Sequence, residues 1–137
     1  MFNVLIVEDC KITSAMIKKI VENALGTNVR VFQAFDVGTA TSLINIIKMD
    51  LIFEDISLDE PTDGINCLEY IFEQNPQPQA TVVVCTSYYD KEIVDQFARF
   101  PIDKFMLKPI ISEAIQKYVI NVYEKHAQAL SVMTVGH

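Results

Sequence analysis

Short apolar runs alternate with helical patterns along almost the whole chain. Five short apolar runs predict strands over residues 3–7, 29–34, 50–55, 80–87 and 104–108, and the run at 80–87 is rich in β-branched residues. Apolar residues that recur every three or four positions predict helices over 11–25, from a cap at Asp36, and over 65–72, 90–100 and 111–127. Five strands, each followed by a helix, are typical of a parallel sheet with helices on both faces and right-handed crossovers.

Length and composition indicate a single domain and argue against a membrane-spanning, secreted or nucleic-acid-binding protein. The chain has 137 residues, half of them hydrophobic, which suits a single core. No apolar run reaches the roughly 18–20 residues of a membrane span, and the first residues, "MFNVLIVEDC", read as a strand and not as a secretory leader. Three cysteines without metal-type spacing are typical of free thiols, so we expect a cytoplasmic protein. A net charge of −7 argues against direct binding of nucleic acid.

Polar side chains follow the predicted strands at the point where each strand ends. They are Glu8 and Asp9 after the first strand, Glu54 and Asp55 at the end of the third, Thr86 at the end of the fourth and Lys108 at the end of the fifth. Because the carboxyl ends of parallel strands meet at one edge of a sheet, we expect all six side chains at one rim. Two carboxylates about 5 Å apart repel by about 3 kcal/mol at an effective dielectric constant near 20. The rim therefore needs cations, and an all-oxygen site suits Mg²⁺ or Mn²⁺.

These residues resemble a known family, the receiver domain of bacterial two-component response regulators. The resemblance is carried by "VLIVED" (4–9), "DLIFED" (50–55), "DG" (63–64), "VVVCTS" (82–87) and "KFMLKP" (104–109), in the family's order. It implies a single three-layer α/β sandwich of the flavodoxin-like (βα)5 type, with a five-stranded parallel sheet of order 2-1-3-4-5. It also implies a receiver domain over residues 1–128, followed by a C-terminal tail at 129–137 that frays or begins a linker.

The resemblance further implies a phosphorylation switch centred on Asp55. Asp55 would accept a phosphoryl group from a sensor histidine kinase or a phosphotransfer protein, and the domain would then control a downstream effector protein. The chain would assist its own phosphorylation and dephosphorylation without being an enzyme for a separate substrate. Glu8, Asp9, Asp55 and the backbone carbonyl of Ser57 would hold Mg²⁺ or Mn²⁺, with Asp9 as a direct ligand and Glu8 as a ligand through water.

The remaining implied roles belong to the response to phosphorylation. Thr86 would hydrogen-bond a phosphoryl oxygen, and Lys108 would pair first with Asp55 and then with the phosphoryl group. Thr86 and Phe105 would form the switch that reshapes the surface made by the fourth helix, fifth strand and fifth helix. Plain core packing is the alternative role for Phe105.

Two other functions stay open at this point. An Mg²⁺-dependent phosphatase of the haloacid dehalogenase type also uses a strand-end Asp as nucleophile, but it has a second Asp two residues later, where this chain has Ser57. A pseudo-receiver that only binds partners without phosphorylation is the other alternative. Apolar residues on two faces of the last helix indicate either a homodimer or effector contact, or a helix that is broadly buried.

Overall fold

The computed structural model describes residues 1–56, 61–74, 80–87 and 91–135. Five strands form one sheet: β1 (Phe2–Val7), β2 (Val29–Ala34), β3 (Leu51–Ile56), β4 (Thr81–Thr86) and β5 (Lys104–Leu107). All neighbouring strands are parallel, and their order across the sheet is β2-β1-β3-β4-β5. The predicted sheet and its strand order are confirmed.

Within the described ranges, five α-helices follow the strands in alternation. They are α1 (Lys11–Leu25), α2 (Val37–Ile46), α3 (Pro61–Glu69), α4 (Lys91–Phe97) and α5 (Ser112–Val135). A short 3₁₀ turn follows α1, and the π-helical segment Tyr70–Gln74 continues α3. Asp36 caps α2 as predicted, because its Oδ1 accepts the backbone N–H of Thr39 at 2.7 Å. None of the described helices is long and apolar enough to cross a lipid bilayer.

The central strands are buried on both faces because successive residues in them are apolar. In β1, Leu5 and Val7 face the core cluster that includes residues of α2, α3 and α4. Val4 and Ile6 face the second cluster, which is formed with α1 and α5. This is the three-layer sandwich that the alternation of strands and helices predicts. Its consequence for function is that residues following the strands are collected at one edge of the sheet.

Helix α3 begins at Pro61, four residues before the predicted range, and helices α4 and α5 end away from their predicted last residues. Helix α4 ends at Phe97 and not near residue 100, because the N–H groups of Ala98 and Phe100 bond to carbonyls three residues earlier, in turns. Pro101 follows and disfavours a helical conformation of Phe100. Helix α5 continues to Val135, eight residues past its predicted end, and no Gly or Pro interrupts it. A domain boundary at residue 128 stays a prediction, although α5 runs past it as a helix.

The apolar residues of α5 mostly contact the core. Ile115, Tyr118 and Val119 are buried. Val122 and Tyr123 are half-buried and pack against the same cluster. This favours the broadly buried helix over an exposed apolar strip in this part of α5, while a homodimer stays a prediction.

A hydrogen bond between Tyr118 and Asp103 fastens α5 to the start of β5. The Tyr118 hydroxyl donates to Asp103 Oδ2 at 2.7 Å. We expect Tyr118→Phe to lower the free energy of unfolding by about 1.5 kcal/mol, because the bond to a carboxylate is lost while the ring stays in place. Urea denaturation measures this change. Asp103→Asn keeps an acceptor for the hydroxyl and should lower stability less; equal stability of Tyr118→Phe and the wild type would contradict the prediction.

Candidate functional site

The carboxyl ends of the strands bring the predicted residues to one edge of the sheet. Strand register aligns Val7 with Glu54 and Asp55 with Cys85, so β1, β3 and β4 end at nearly the same level. Glu8 and Asp9 directly follow β1, and Lys108 directly follows β5. The prediction that these ends share one rim is confirmed for Glu8, Asp9, Asp55 and Lys108.

Three carboxylates form an oxygen cluster at this rim. Glu8, Asp9 and Asp55 each offer one carboxylate oxygen, and these atoms all lie within 4.8 Å of one another. Glu8 is buried and the side chain of Asp55 is 6% exposed, whereas Asp9 is exposed. Hard oxygen donors with one side open to water suit Mg²⁺ or Mn²⁺. The residues present therefore fit a divalent cation of this kind.

Lys108 supplies the positive charge of the cluster. Its Nζ lies 2.5 Å from Asp55 Oδ1 and 3.3 Å from Glu8 Oε2. The approach to Asp55 is an ion pair outside hydrogen-bonding geometry, so buried Oδ1 accepts no hydrogen bond. Burial lowers the pKa of Lys108, but the close contact with the charged Asp55, together with the charge of Glu8 and the hydrogen bond to it, raises this pKa overall above its ordinary value. The ammonium group is therefore charged and held between two carboxyl groups.

Glu8 is the most perturbed carboxyl group of this cluster. Burial, a hydrogen bond with Asp55 and the charge of Asp55 raise the pKa of Glu8 to about 8. The Cys10 N–H, which donates to Glu8 Oε1 at 3.0 Å, and the charge of Lys108 act in the opposite direction. Near neutral pH and without a divalent cation, Glu8 therefore keeps a proton and shares a hydrogen bond with Asp55.

The raised pKa of Glu8 predicts how the stability of the cation-free protein depends on pH. Between about pH 4.5 and 8 the folded protein keeps a proton on Glu8 that the unfolded chain has lost, so the free energy of unfolding should fall as pH rises through this window. Denaturation in EDTA at several pH values measures the slope. Glu8→Gln cannot titrate and should make the slope shallower; the same slope in both proteins would show that Glu8 is not its source.

Glu54 does not lie at the rim, and the expectation that it does is wrong. Its side chain is 1% exposed and lies on the α3 face of the sheet, in register between Val7 and Val84. Burial raises the pKa of Glu54 well above its ordinary value, and a hydrogen bond with the Cys67 thiol opposes that shift. Successive residues of a strand point to opposite faces of the sheet, so Glu54 must lie on the face opposite to that of Asp55. That period-two pattern is the signal that sequence reasoning missed.

The structure also places the predicted switch residues. Thr86 ends β4, is 6% exposed and accepts the N–H of Lys108 with its carbonyl oxygen at 2.8 Å. Phe105 pairs in register with Val84 and is 38% exposed, so core packing alone does not describe its ring. Its role as a switch stays a prediction. Ser57, expected to offer a backbone carbonyl to the metal, lies outside the described residues.

Comparison with models of known protein families shows which family this chain belongs to. A family model for the response regulator receiver domain matches residues 4–120. The chain belongs to this family. It is therefore a receiver of the kind found in the response regulators of two-component signalling, which confirms the resemblance seen in the sequence. A search of curated protein sequences found no match.

Solved structures of similar proteins share the receiver fold. A response regulator from Thermotoga maritima is 24% identical, with a TM-score of 0.71 over 89% of this chain and 97% of that one. The receiver domain of Francisella response regulator 1452 is 24% identical, with a TM-score of 0.75 over 92% and 99%. Chemotaxis protein CheY4 of Vibrio cholerae is 19% identical, with a TM-score of 0.76 over 89% and 98%. At these identities the similarity shows the fold.

Proposed function

We propose that this receiver accepts a phosphoryl group on Asp55 from the phosphohistidine of a sensor kinase or phosphotransfer protein. The observation that carries the proposal is the position of Asp55, paired with Lys108 Nζ at 2.5 Å and within 4.8 Å of the carboxylate oxygens of Glu8 and Asp9. A lone carboxylate on a strand would need neither a partly buried lysine nor two further acidic groups. Membership of the receiver family supports the same role.

The chemistry requires positioning and charge balance more than a strong nucleophile. A carboxylate oxygen of Asp55 attacks phosphorus while the phosphorus–nitrogen bond to the donor imidazole breaks, and the imidazole leaves with the electron pair of that bond. Lys108 holds Asp55 before the reaction and offsets the charge of the phosphoryl oxygens afterwards. The Thr86 hydroxyl donates a hydrogen bond to one of those oxygens.

A divalent cation completes the charge balance of this proposal. Glu8, Asp9 and Asp55 would hold Mg²⁺ or Mn²⁺, with the carbonyl of Ser57 as a further ligand from the sequence pattern. When bound, the ion supplies positive charge that stabilises the transferring phosphoryl group. The chain thus acts as a phosphoacceptor that assists its own reaction and does not turn over a separate substrate.

An effector protein would recognise the phosphorylated state at the edge of the sheet that β5 forms. Once Thr86 turns toward the phosphoryl group, the space beside it opens for the ring of Phe105, and an existing two-state equilibrium shifts. Phe105 and Leu107 are 38% and 56% exposed on β5, so apolar surface is available there to an effector protein. The partner side of the proposal rests on this exposure.

One reaction tests the proposed chemistry directly. The full chain is incubated with acetyl phosphate and Mg²⁺, and its intact mass is measured with and without EDTA. We expect the mass of one phosphoryl group to be added in Mg²⁺ and not in EDTA. No adduct in Mg²⁺, on protein shown to be folded, would overturn the proposal.

A further inference from the structure

We propose that Lys11 attracts the negatively charged phosphoryl donor to the phosphoacceptor site, and that the ring of Phe35 holds the ammonium group of Lys11 beside that site. The inference rests on the proposed function, because it concerns the approach of the donor to Asp55. Lys11 acts before the bond between phosphorus and its leaving group breaks, and it takes no part in the cleavage itself. Its effect on phosphorylation therefore depends on the charge of the donor.

Lys11 and Phe35 both lie next to contacts of Glu8 at the rim of the sheet. The Glu8 N–H donates to the carbonyl oxygen of Ala34 at 3.0 Å, and Phe35 is the next residue in the chain. The Cys10 N–H donates to Glu8 Oε1 at 3.0 Å, and Lys11 follows directly as the first residue of α1. Lys11 Nζ lies 5.7 Å from the centroid of the Phe35 ring, within the range of a cation–π contact. The ammonium group is thus held on the β1 and β2 side of the carboxylate cluster.

The local structure does not explain a lysine at this position. The N-terminus of a helix carries partial positive charge, so a lysine in the first turn disfavours the helix, and α1 has no acidic residue in its first turn to compensate. Among the described residues, no carboxylate forms an ion pair with Lys11. The residue is exposed, so it contributes little to the core. An exposed ammonium group without such a counterion is available to an anionic ligand.

The balance of charge at the rim gives this ammonium group a role. The three carboxylates of the oxygen cluster are all negative once a cation displaces the proton of Glu8. Lys108 and a divalent cation together balance these charges, so the site itself does not attract an anionic donor from a distance. Lys11 makes the rim positive, and its charge acts over about 10 Å at 0.1 M ionic strength.

Phosphorylation kinetics at saturating Mg²⁺, followed by intact mass, test the inference. At low ionic strength, Lys11→Met should lower the initial rate with acetyl phosphate, a dianion, by about fourfold. Coulomb's law gives this factor for one charge at about 10 Å from two charges in water. With phosphoramidate, which carries one net negative charge near neutral pH, the loss should be about twofold. In about 1 M salt, where the Debye length is about 3 Å, the variant and the wild type should react at the same rate.

Matched variants separate the charge of Lys11 from its shape and position. Lys11→Arg keeps the charge and should react as the wild type does. Lys19→Met removes the same charge about two turns further along α1 and should lower the rate with acetyl phosphate less than Lys11→Met does. A slow Lys11→Arg variant, or equal losses in Lys11→Met and Lys19→Met, would overturn a local role for this charge.

A double-mutant cycle tests the contribution of the Phe35 ring. Phe35→Leu keeps the charge of Lys11 but removes the ring that holds it, so its rate should lie between those of the wild type and Lys11→Met. In the Lys11→Met background there is no ammonium group to hold, and Phe35→Leu should change the rate no further. Additive losses in the double variant would overturn the role of the ring.

Mg²⁺ affinity and stability distinguish this role from a structural one. Lys11→Met removes a positive charge near the carboxylates and from a helix N-terminus. We therefore expect Mg²⁺ to bind at least as tightly as in the wild type, and the melting temperature in EDTA to be no lower. Calorimetric titration with Mg²⁺ and thermal melting measure the two quantities. Weaker Mg²⁺ binding and a lower melting temperature together with the slower rate would indicate a structural role and overturn the inference.

The inference can fail separately from the proposed function. Wild-type rates in Lys11→Met with both donors at low ionic strength, while the wild type is phosphorylated normally, would overturn the role of Lys11 alone. A wild type that gains no phosphoryl group from acetyl phosphate would overturn the proposed function, and the role of Lys11 with it. A loss that is larger for acetyl phosphate than for phosphoramidate and that disappears in salt supports both.

Discussion

After incubation with Mg²⁺ and acetyl phosphate, the Asp55→Asn variant should carry no phosphoryl group, while the wild type carries one. A neutral amide cannot replace the carboxylate oxygen that attacks phosphorus, so the loss should be complete and not partial. The Asn side chain has nearly the same shape, and the neighbouring groups stay in place. Intact mass spectrometry of both proteins, treated in parallel, gives the result in one measurement.

The control for this experiment is the carboxyl group next in the chain. Glu54 is adjacent to Asp55 but is 1% exposed on the other face of the sheet, where a donor has no access. Glu54→Gln should therefore still gain one phosphoryl group. An adduct that persists in Asp55→Asn would place the acceptor elsewhere, and mapping of the modified peptide would then identify it. Denaturation curves of both variants establish that they are folded.

Replacing Lys108 by Met should produce the largest change in stability. Its Nζ lies 2.5 Å from Asp55 and 3.3 Å from Glu8, and only 23% of the side chain is exposed. Removing one partner of a buried ion pair leaves a carboxylate without its counterion, so we expect the free energy of unfolding to fall by about 3 kcal/mol at pH 8 in EDTA. Urea denaturation measures the loss. Added Mg²⁺ should recover part of it, since a divalent cation also balances the carboxylates.

A lysine on the surface provides the matching control. Lys117 pairs with Glu113 one turn away on α5, and its side chain is 77% exposed. Lys117→Met should change stability by less than about 0.5 kcal/mol, because exposed ion pairs are screened by water and salt. Equal decreases in the free energy of unfolding of the two variants would show that Lys108 stabilises the fold no more than an exposed lysine does. Lys108→Met as stable as the wild type would contradict the prediction outright.

Much of the fold and part of the site can be predicted from the sequence. The hydrophobic patterns of strands and helices indicate the elements, and the carboxyl edge of a parallel sheet is the expected place for a site. The short apolar run in β1 favours a strand and the 3.6-residue stripe of α1 favours a helix, and the alternation of such segments favours parallel strands. The rule that ligands bind at the carboxyl edge then brings Asp9, Asp55 and Lys108 together without any knowledge of tertiary contacts. These parts of the site follow from strand ends alone.

Other features depend on contacts that no local pattern contains. Whether Glu8 keeps a proton is decided by the burial of its side chain and by the nearness of Asp55, which are properties of the folded chain. The predicted end of α5 at residue 127 is too early, because residues 128–135 contain no Gly or Pro that would stop the helix and residues 128–132 are exposed, so burial does not mark its end. Glu54 is predicted at the rim because it is adjacent to Asp55 in the sequence. That prediction is wrong because neighbouring residues of a strand point to opposite faces of the sheet.

The proton on Glu8 has a consequence for how this receiver is loaded with its cation. A metal ligand must be deprotonated, so an incoming Mg²⁺ ion would displace that proton into solution. Loading then becomes an exchange of one cation for another, and we expect it to become easier as the surroundings turn more alkaline, up to about pH 8. The pH of the medium would then determine how much Mg²⁺ this receiver holds at a given Mg²⁺ concentration.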